Sequence, residues 1–154
     1  MTPTTDRRVL KHAANLERTG RLAQLKQFKQ HGETTVYDHS LAVASLALRI
    51  ARRLHLRIDE DSLIRGALLH DYFLYDWHIP EPGRPLHGFW HPKAALKNAA
   101  EDFNLNRRER NIIRRHMYPL TPVPPVTREG IIVCLADKIC AFRETFQKQE
   151  FDSE

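Results

Sequence analysis

Apolar residues in this chain recur at steps of three and four, and no stretch alternates convincingly with a period of two. The clearest stripe runs through His39, Val43, Leu46, Ile50 and Leu54. Its steps of four, three, four and four place these side chains on one face of an α-helix over about residues 37–56, with Asp38 as a plausible N-cap. The periodicity therefore predicts an all-α fold.

Prolines and glycines divide the rest of the chain, with breaks at about residues 31–35, 79–90 and 119–126. Helices are predicted between these breaks, and one or two more within the first thirty residues. The signals for their N-termini are Asp59 or Asp61, Pro92 as a first-turn proline, Asn106, and Thr127 followed by Glu129. Together these segments predict a single compact bundle of six or seven helices.

The chain has 154 residues, of which 42% are hydrophobic, and this is enough to bury one core. We expect residues 1–30 to form an N-terminal helical extension, residues 31–146 the main domain, and residues 147–154 a tail. No apolar run approaches the roughly 18 residues of a membrane span, and the N-terminus has no apolar signal region, so a cytoplasmic protein without membrane contact is expected. Cys134 and Cys140 are expected to be reduced and buried.

The net charge is +5, from 24 Lys and Arg against 19 Asp and Glu, which is compatible with an anionic partner. The sequence has no helix-turn-helix signature and no basic stripe interleaved with aromatic residues, so nucleic acid is not the expected partner. The oligomeric state is left open.

Histidine and aspartate interrupt several apolar segments of this chain, which has nine histidines. His39 shares the inward stripe, His70 and Asp71 end an apolar helix, His116 follows Ile112 and Ile113, and Asp137 lies in the apolar run 131–137. Each alone could be a core histidine bonded to a carbonyl or an aspartate paired with an arginine. A buried carboxylate is costly unless it is paired or bound to a metal, and one metal centre explains all five residues.

The spacing of these residues resembles the HD domain, a superfamily of metal-dependent phosphohydrolases. His39 is followed after thirty residues by the His70-Asp71 doublet, and Asp137 stands in Ala-Asp-Lys. The resemblance covers about residues 31–146. His91, which has Ala95 four residues later, and His116 are similar to the additional histidines of the binuclear branches. The chain reads Met117-Tyr118-Pro119 where the cyclic-dinucleotide branch has Gly-Tyr-Pro, so that activity is not supported.

The resemblance implies two divalent transition metal ions. One would be held by His39, His70, Asp71 and Asp137, and Asp71 would bridge to a second held by His91 and His116. Imidazole and carboxylate together suit Fe, Mn, Ni or Zn, and Mg is retained as an option. His87, four residues before His91, is the alternative ligand in its place.

The resemblance further implies hydrolysis of a phosphate ester or anhydride, of a nucleotide or dinucleotide, by a metal-activated water. We assign Asp71, His87 and Lys138 to catalysis, with His87 as a substrate contact or proton donor if it is not a ligand. We assign Arg84, Lys93 and Arg115 to binding a small phosphorylated substrate. The alternative is a non-catalytic module that binds a nucleotide or a protein partner and uses its metal structurally.

Overall fold

The computed structural model of the protein describes residues 5–75 and 87–152, without the side chains of residues 87–90 and 148–152. The all-α prediction is confirmed, because this part of the chain is helical apart from one small hairpin. Its elements are α1 (Arg7–Thr19), a 3₁₀ helix (Leu22–Gln27), β1 (Lys29–His31), β2 (Thr34–Thr35), α2 (Val36–Arg53), α3 (Glu60–Leu69), α4 (His87–Asp102), α5 (Arg107–Arg115) and α6 (Arg128–Asp152).

Side-chain caps set where the helices begin. Asp59 accepts from Ser62 N at 3.1 Å and Asn106 from Glu109 N at 2.9 Å, as predicted. Thr127 Oγ1 likewise accepts from Gly130 N at 3.0 Å and caps α6. The assignment of Asp38 as the cap of α2 was wrong. Thr35 Oγ1 accepts from Asp38 N at 3.1 Å, so Asp38 lies in the first turn, where its charge suits the helix dipole.

Pro92 does not lie in the first turn of its helix. The predicted loop reached Trp90, whereas α4 begins at His87 and encloses Pro92. A proline has no N–H to donate, so the helix forgoes one backbone bond at this point. The extra turn at the start of α4 brings His91 inside a regular helix.

The hairpin of β1 and β2 is too short to show an alternating pattern in the sequence. Its register pairs Lys29 with Thr35 and His31 with Thr34, and Gly32 turns the chain with a φ of 59°. The hairpin places residues 30 and 31 beside the buried polar side chains described below.

The core lies where α2 packs against α3 and α6, and where α3 and α6 pack against α5. The absence of a side chain at Gly66 in α3 permits the close approach of α3 to α5. A Cβ there would lie 3.0 Å from Ile112 Cβ and 3.1 Å from Ile112 Cγ2 of α5. The rings of His70 and His116, which follow the last turns of α3 and α5, consequently lie 4.8 Å apart between centroids.

The N-terminal segment belongs to the same core. Val9 and Leu16 of α1 and Leu22 and Leu25 of the 3₁₀ helix are fully or almost fully buried. The proposed boundary at residue 30 stays a prediction. Within the described ranges, no helix combines the length and the apolar character needed to cross a membrane.

The last helix has two apolar faces. Its inner face contributes Ile132, Val133, Ala136 and Cys140 to the core and carries Asp137 inward. Its outer stripe, formed by Ile131, Leu135, Phe142 and Phe146, is exposed. Helical periodicity of apolar residues in this segment of the sequence therefore does not identify which of them are buried.

Candidate metal centre

The buried polar residues singled out in the sequence converge at one place. His39 projects from the start of α2, His70 caps the C-terminus of α3, and Asp71 follows it. His91 comes from α4, His116 from the C-terminus of α5, and Asp137 from α6, and all six residues are buried. Their ligand atoms form two groups, each within 4.8 Å: His39, His70, Asp71 and Asp137, and then Asp71, His91 and His116. We call these the first and the second group.

The first group brings two imidazoles against two carboxylates. His39 Nε2 lies 2.8 Å from Asp137 Oδ1 and 3.7 Å from Asp71 Oδ2. His70 Nε2 lies 3.2 Å from Asp71 Oδ2 and 3.3 Å from Asp137 Oδ1. Four donor atoms, from α2, from α6 and from the two residues that follow α3, therefore surround one point.

The second group uses the other oxygen of Asp71. His91 Nε2 and His116 Nε2 lie 3.2 and 3.3 Å from Asp71 Oδ1. The two nitrogens are 2.8 Å from each other. Asp71 thus presents Oδ2 to one histidine pair and Oδ1 to the other, which is the geometry of a shared ligand.

Helix ends orient two of the rings. His70 Nδ1 donates to Ala67 O at 2.5 Å, and His116 Nδ1 donates to Ile113 O at 2.8 Å. The last carbonyls of a helix have no partner within it, and these rings satisfy one carbonyl each. A carbonyl can only accept, so Nδ1 carries a hydrogen, and each ring in its neutral form directs the lone pair of Nε2 into the centre.

His39 is held differently, by a residue that the sequence analysis did not single out. Its Nδ1 donates to Glu144, whose two oxygens lie at 2.8 and 3.0 Å. Glu144 follows Asp137 by seven residues on α6, so both lie near one line on the helix. That spacing was the available signal in the sequence. The polar neighbours Arg143 and Thr145 gave no reason to expect Glu144 to face inward.

Gln30 was missed as well. Its Nε2 donates to Asp71 Oδ2 at 3.0 Å from the hairpin, which the sequence does not predict. A glutamine in a short polar segment has no pattern that identifies it as part of a site.

The charges of the centre depend on one another. Burial lowers the pKa of His39, but its bonds to Asp137 and Glu144 and the charges of Asp137 and Asp71 outweigh burial and raise the pKa to about 9. Burial also opposes the charged form of His70, yet Asp71 and Asp137 raise its pKa well above the ordinary value. Burial raises the pKa of Asp71, but the charge of His70 and the close approach of the His70, His91 and His116 rings lower it well below the ordinary value. The pKa of His116 is lowered, chiefly by burial.

The residues fit a divalent cation on three counts. Two imidazole nitrogens 2.8 Å apart repel each other when both present lone pairs, and a cation removes that repulsion. His70 Nε2 and Asp71 Oδ1 are buried and form no hydrogen bond of good geometry among the described residues. Neutral imidazole and carboxylate oxygen together form a donor set typical of transition metals.

A cleft of about 600 Å³ opens onto both groups, with Asp71, His91 and Asp137 in its lining. Lys138 also lines the cleft, and its Nζ donates to His116 O at 3.2 Å. The lining also includes the apolar residues Met117, Pro119, Leu120 and Ala141.

Of the other predicted substrate contacts, only Lys93 and Arg115 have described side chains. Lys93 is exposed on α4 and Arg115 is half-buried near the end of α5. Neither is among the described residues that line the cleft, so their substrate roles stay predictions. Arg84 and the side chain of His87 lie outside the described residues, so the choice between His87 and His91 as ligand stays a prediction.

Fold and site together define an all-helical protein with a buried histidine and aspartate centre suited to divalent cations. The model of the HD domain family matches residues 36–141. The chain therefore belongs to the HD domain family, whose members are typically metal-dependent hydrolases that bind divalent metals. The chain has no significant match among curated proteins or among solved structures.

Proposed function

We propose that this protein is a metal-dependent phosphohydrolase that cleaves a phosphate ester or anhydride of a nucleotide or dinucleotide. The proposal rests on the position of Asp71, which lines an open cleft and offers one oxygen to each histidine pair. A purely structural metal would be better served by a closed set of ligands, because only a reacting centre needs access to substrate.

The ligand assignment is part of the proposal. His39, His70, Asp71 and Asp137 would hold one ion, and Asp71, His91 and His116 a second. Divalent transition metal ions bound there would supply Lewis acidity, which would polarise a phosphoryl oxygen and lower the pKa of a bound water towards neutrality. The histidines contribute neutral Nε2 donors, and Asp71 and Asp137 offset the charge of the ions.

Residues around the cleft would bind the substrate. Lys138 extends its ammonium group beside the second group, where it can neutralise a phosphoryl oxygen. The apolar lining residues Met117, Pro119, Leu120 and Ala141 would offer contacts for an organic part of the substrate. A lining that combines charged and apolar residues supports a phosphorylated organic compound over inorganic pyrophosphate.

The test combines metal analysis with a substrate panel. Purified protein, reconstituted with Mn²⁺ and freed of excess metal, should retain bound ions and hydrolyse at least one of a set of phosphate esters, nucleotides and dinucleotides. Asp71→Ala should abolish that turnover, and Glu33→Gln, which changes a fully exposed carboxylate, should not. Stoichiometric metal with no turnover anywhere in the panel would favour the binding module instead.

A further inference from the structure

We propose that Glu144 is a positioning residue for His39 and makes the first group the higher-affinity metal site. The inference rests on the proposed function, because it concerns ions held by the two groups. It assigns no contact between Glu144 and the ions themselves. Glu144 acts through the imidazole ring that lies between it and the centre.

The contact between Glu144 and His39 is close and sheltered. Both carboxylate oxygens lie within 3.0 Å of His39 Nδ1, the ring is fully buried, and the Glu144 side chain is 10% exposed. A carboxylate only accepts, so it keeps the hydrogen on Nδ1 and leaves Nε2 to face Asp137 and Asp71. The ring is therefore fixed in orientation before a metal arrives, and Nε2 is the nitrogen that gives up its proton when a metal binds.

The three oriented rings differ in what holds their Nδ1 atoms. His70 and His116 donate to the neutral carbonyls of Ala67 and Ile113, whereas His39 donates to a charged group. A carboxylate behind an imidazole raises its basicity as a ligand, and a carbonyl does so less. Of these three histidines, His39 should be the strongest donor.

Charge favours the same group. Within the described residues, the first group contains Asp71 and Asp137 and has Glu144 behind it, while the second contains Asp71 alone. The ammonium group of Lys138 lies 3.2 Å from His116 O, on the side of the second group. A cation is thus attracted more strongly to the first group, and the buried setting limits screening by solvent.

The experiment is a titration of metal-free protein with Co²⁺, followed through its visible absorption and by competition with a chelator. The wild type should bind a first ion tightly and a second more weakly. Glu144→Ala should weaken the first step by roughly 10- to 100-fold and leave the second unchanged. Glu144→Gln keeps an acceptor for Nδ1–H without the charge. Its affinity for the first Co²⁺ should therefore lie between those of the wild type and Glu144→Ala, and the absorption spectrum of that ion should shift.

Glu101→Gln is the matched control, since it removes a half-exposed carboxylate from another helix and should change neither step. Circular dichroism checks that each variant is folded. If Glu144→Ala is unfolded, the titration of Glu144→Gln tests the proposal. Equal weakening of both steps, or no weakening of the first, would overturn the role of Glu144 while leaving the proposed function intact. A wild type that binds no Co²⁺ would instead overturn the proposed function, and this inference with it.

Discussion

His91 and His116 come from different helices, yet their Nε2 atoms lie 2.8 Å apart and share Asp71 Oδ1 as a neighbour. Two neutral imidazoles cannot both direct lone pairs at each other without cost, so the arrangement depends on a proton or a cation between them. The predictions below start from this pair.

Replacing His91 should remove one of two metal ions. His91→Ala deletes a nitrogen of the second group, so metal content measured by elemental analysis should fall by about half relative to wild type. His87→Ala should leave it near the wild-type value, because we assign His87 to the substrate. Equal losses in both variants would leave the choice of His91 unsupported.

Asp71 should be the most sensitive position of the centre. Asp71→Asn keeps the shape of the side chain but removes the charge that both groups share, so both ions should be lost and activity should drop by several orders of magnitude. Asp137→Asn serves as comparison and should affect mainly the ion of the first group. Full metal retention by Asp71→Asn would refute the shared-ligand geometry.

The metal-free protein should become less stable as pH rises from 6 to 9. Because the pKa of His39 is about 9 in the folded protein, above an unfolded value of about 6.5, the folded state holds the proton more tightly. The resulting stabilisation is complete below about pH 6.5 and is lost as pH rises through about 9. Thermal unfolding in the presence of a chelator should show the fall, and saturating Mn²⁺ should reduce it. A melting temperature that rises with pH would contradict the assignment.

Tyr72, which follows the doublet, should stabilise the fold without binding metal. Its hydroxyl accepts from Arg21 N at 2.7 Å and donates to Asp102 Oδ2 at 2.5 Å. Tyr72→Phe leaves Arg21 N without this acceptor and removes one of the two hydrogen bonds to Asp102 Oδ2, the other coming from Arg21 Nε. The change should cost about 1–3 kcal/mol in chemical denaturation, with metal content unchanged. Tyr118→Phe, at an exposed tyrosine, should be nearly neutral.

The approach of α3 to α5 should be sensitive to one added methyl group. Gly66→Ala places a Cβ against Ile112 and should destabilise the protein by about 1–3 kcal/mol while reducing metal content, because the two helices position His70 and His116. Ile112→Val removes Cδ1, the Ile112 atom nearest to the added methyl group. The double variant should therefore be more stable than the sum of the single changes predicts. Strict additivity in this double-mutant cycle would exclude the clash as the cause.

The sequence was sufficient for the helices and for the residues that converge, because His39 and Asp137 each interrupt an apolar face and such interruptions need a partner. It was insufficient where tertiary packing chose the partner. Glu144 is an ordinary helix glutamate until α6 lies against α2, and Gln30 depends on a hairpin too short for an alternating pattern. Thr35 and Asp38 are both good caps, and backbone geometry alone decided between them.

The last helix contacts both nitrogens of the His39 ring. Asp137 hydrogen bonds to Nε2, and Glu144 hydrogen bonds to Nδ1. A helix shifts as a nearly rigid rod, so a small tilt or slide of α6 alters both contacts together. The opposite side of the rod is the exposed stripe that includes Leu135 and Phe142. A partner that displaced α6 from that exposed stripe would therefore change the orientation of the His39 ring, so α6 links the protein surface to the centre.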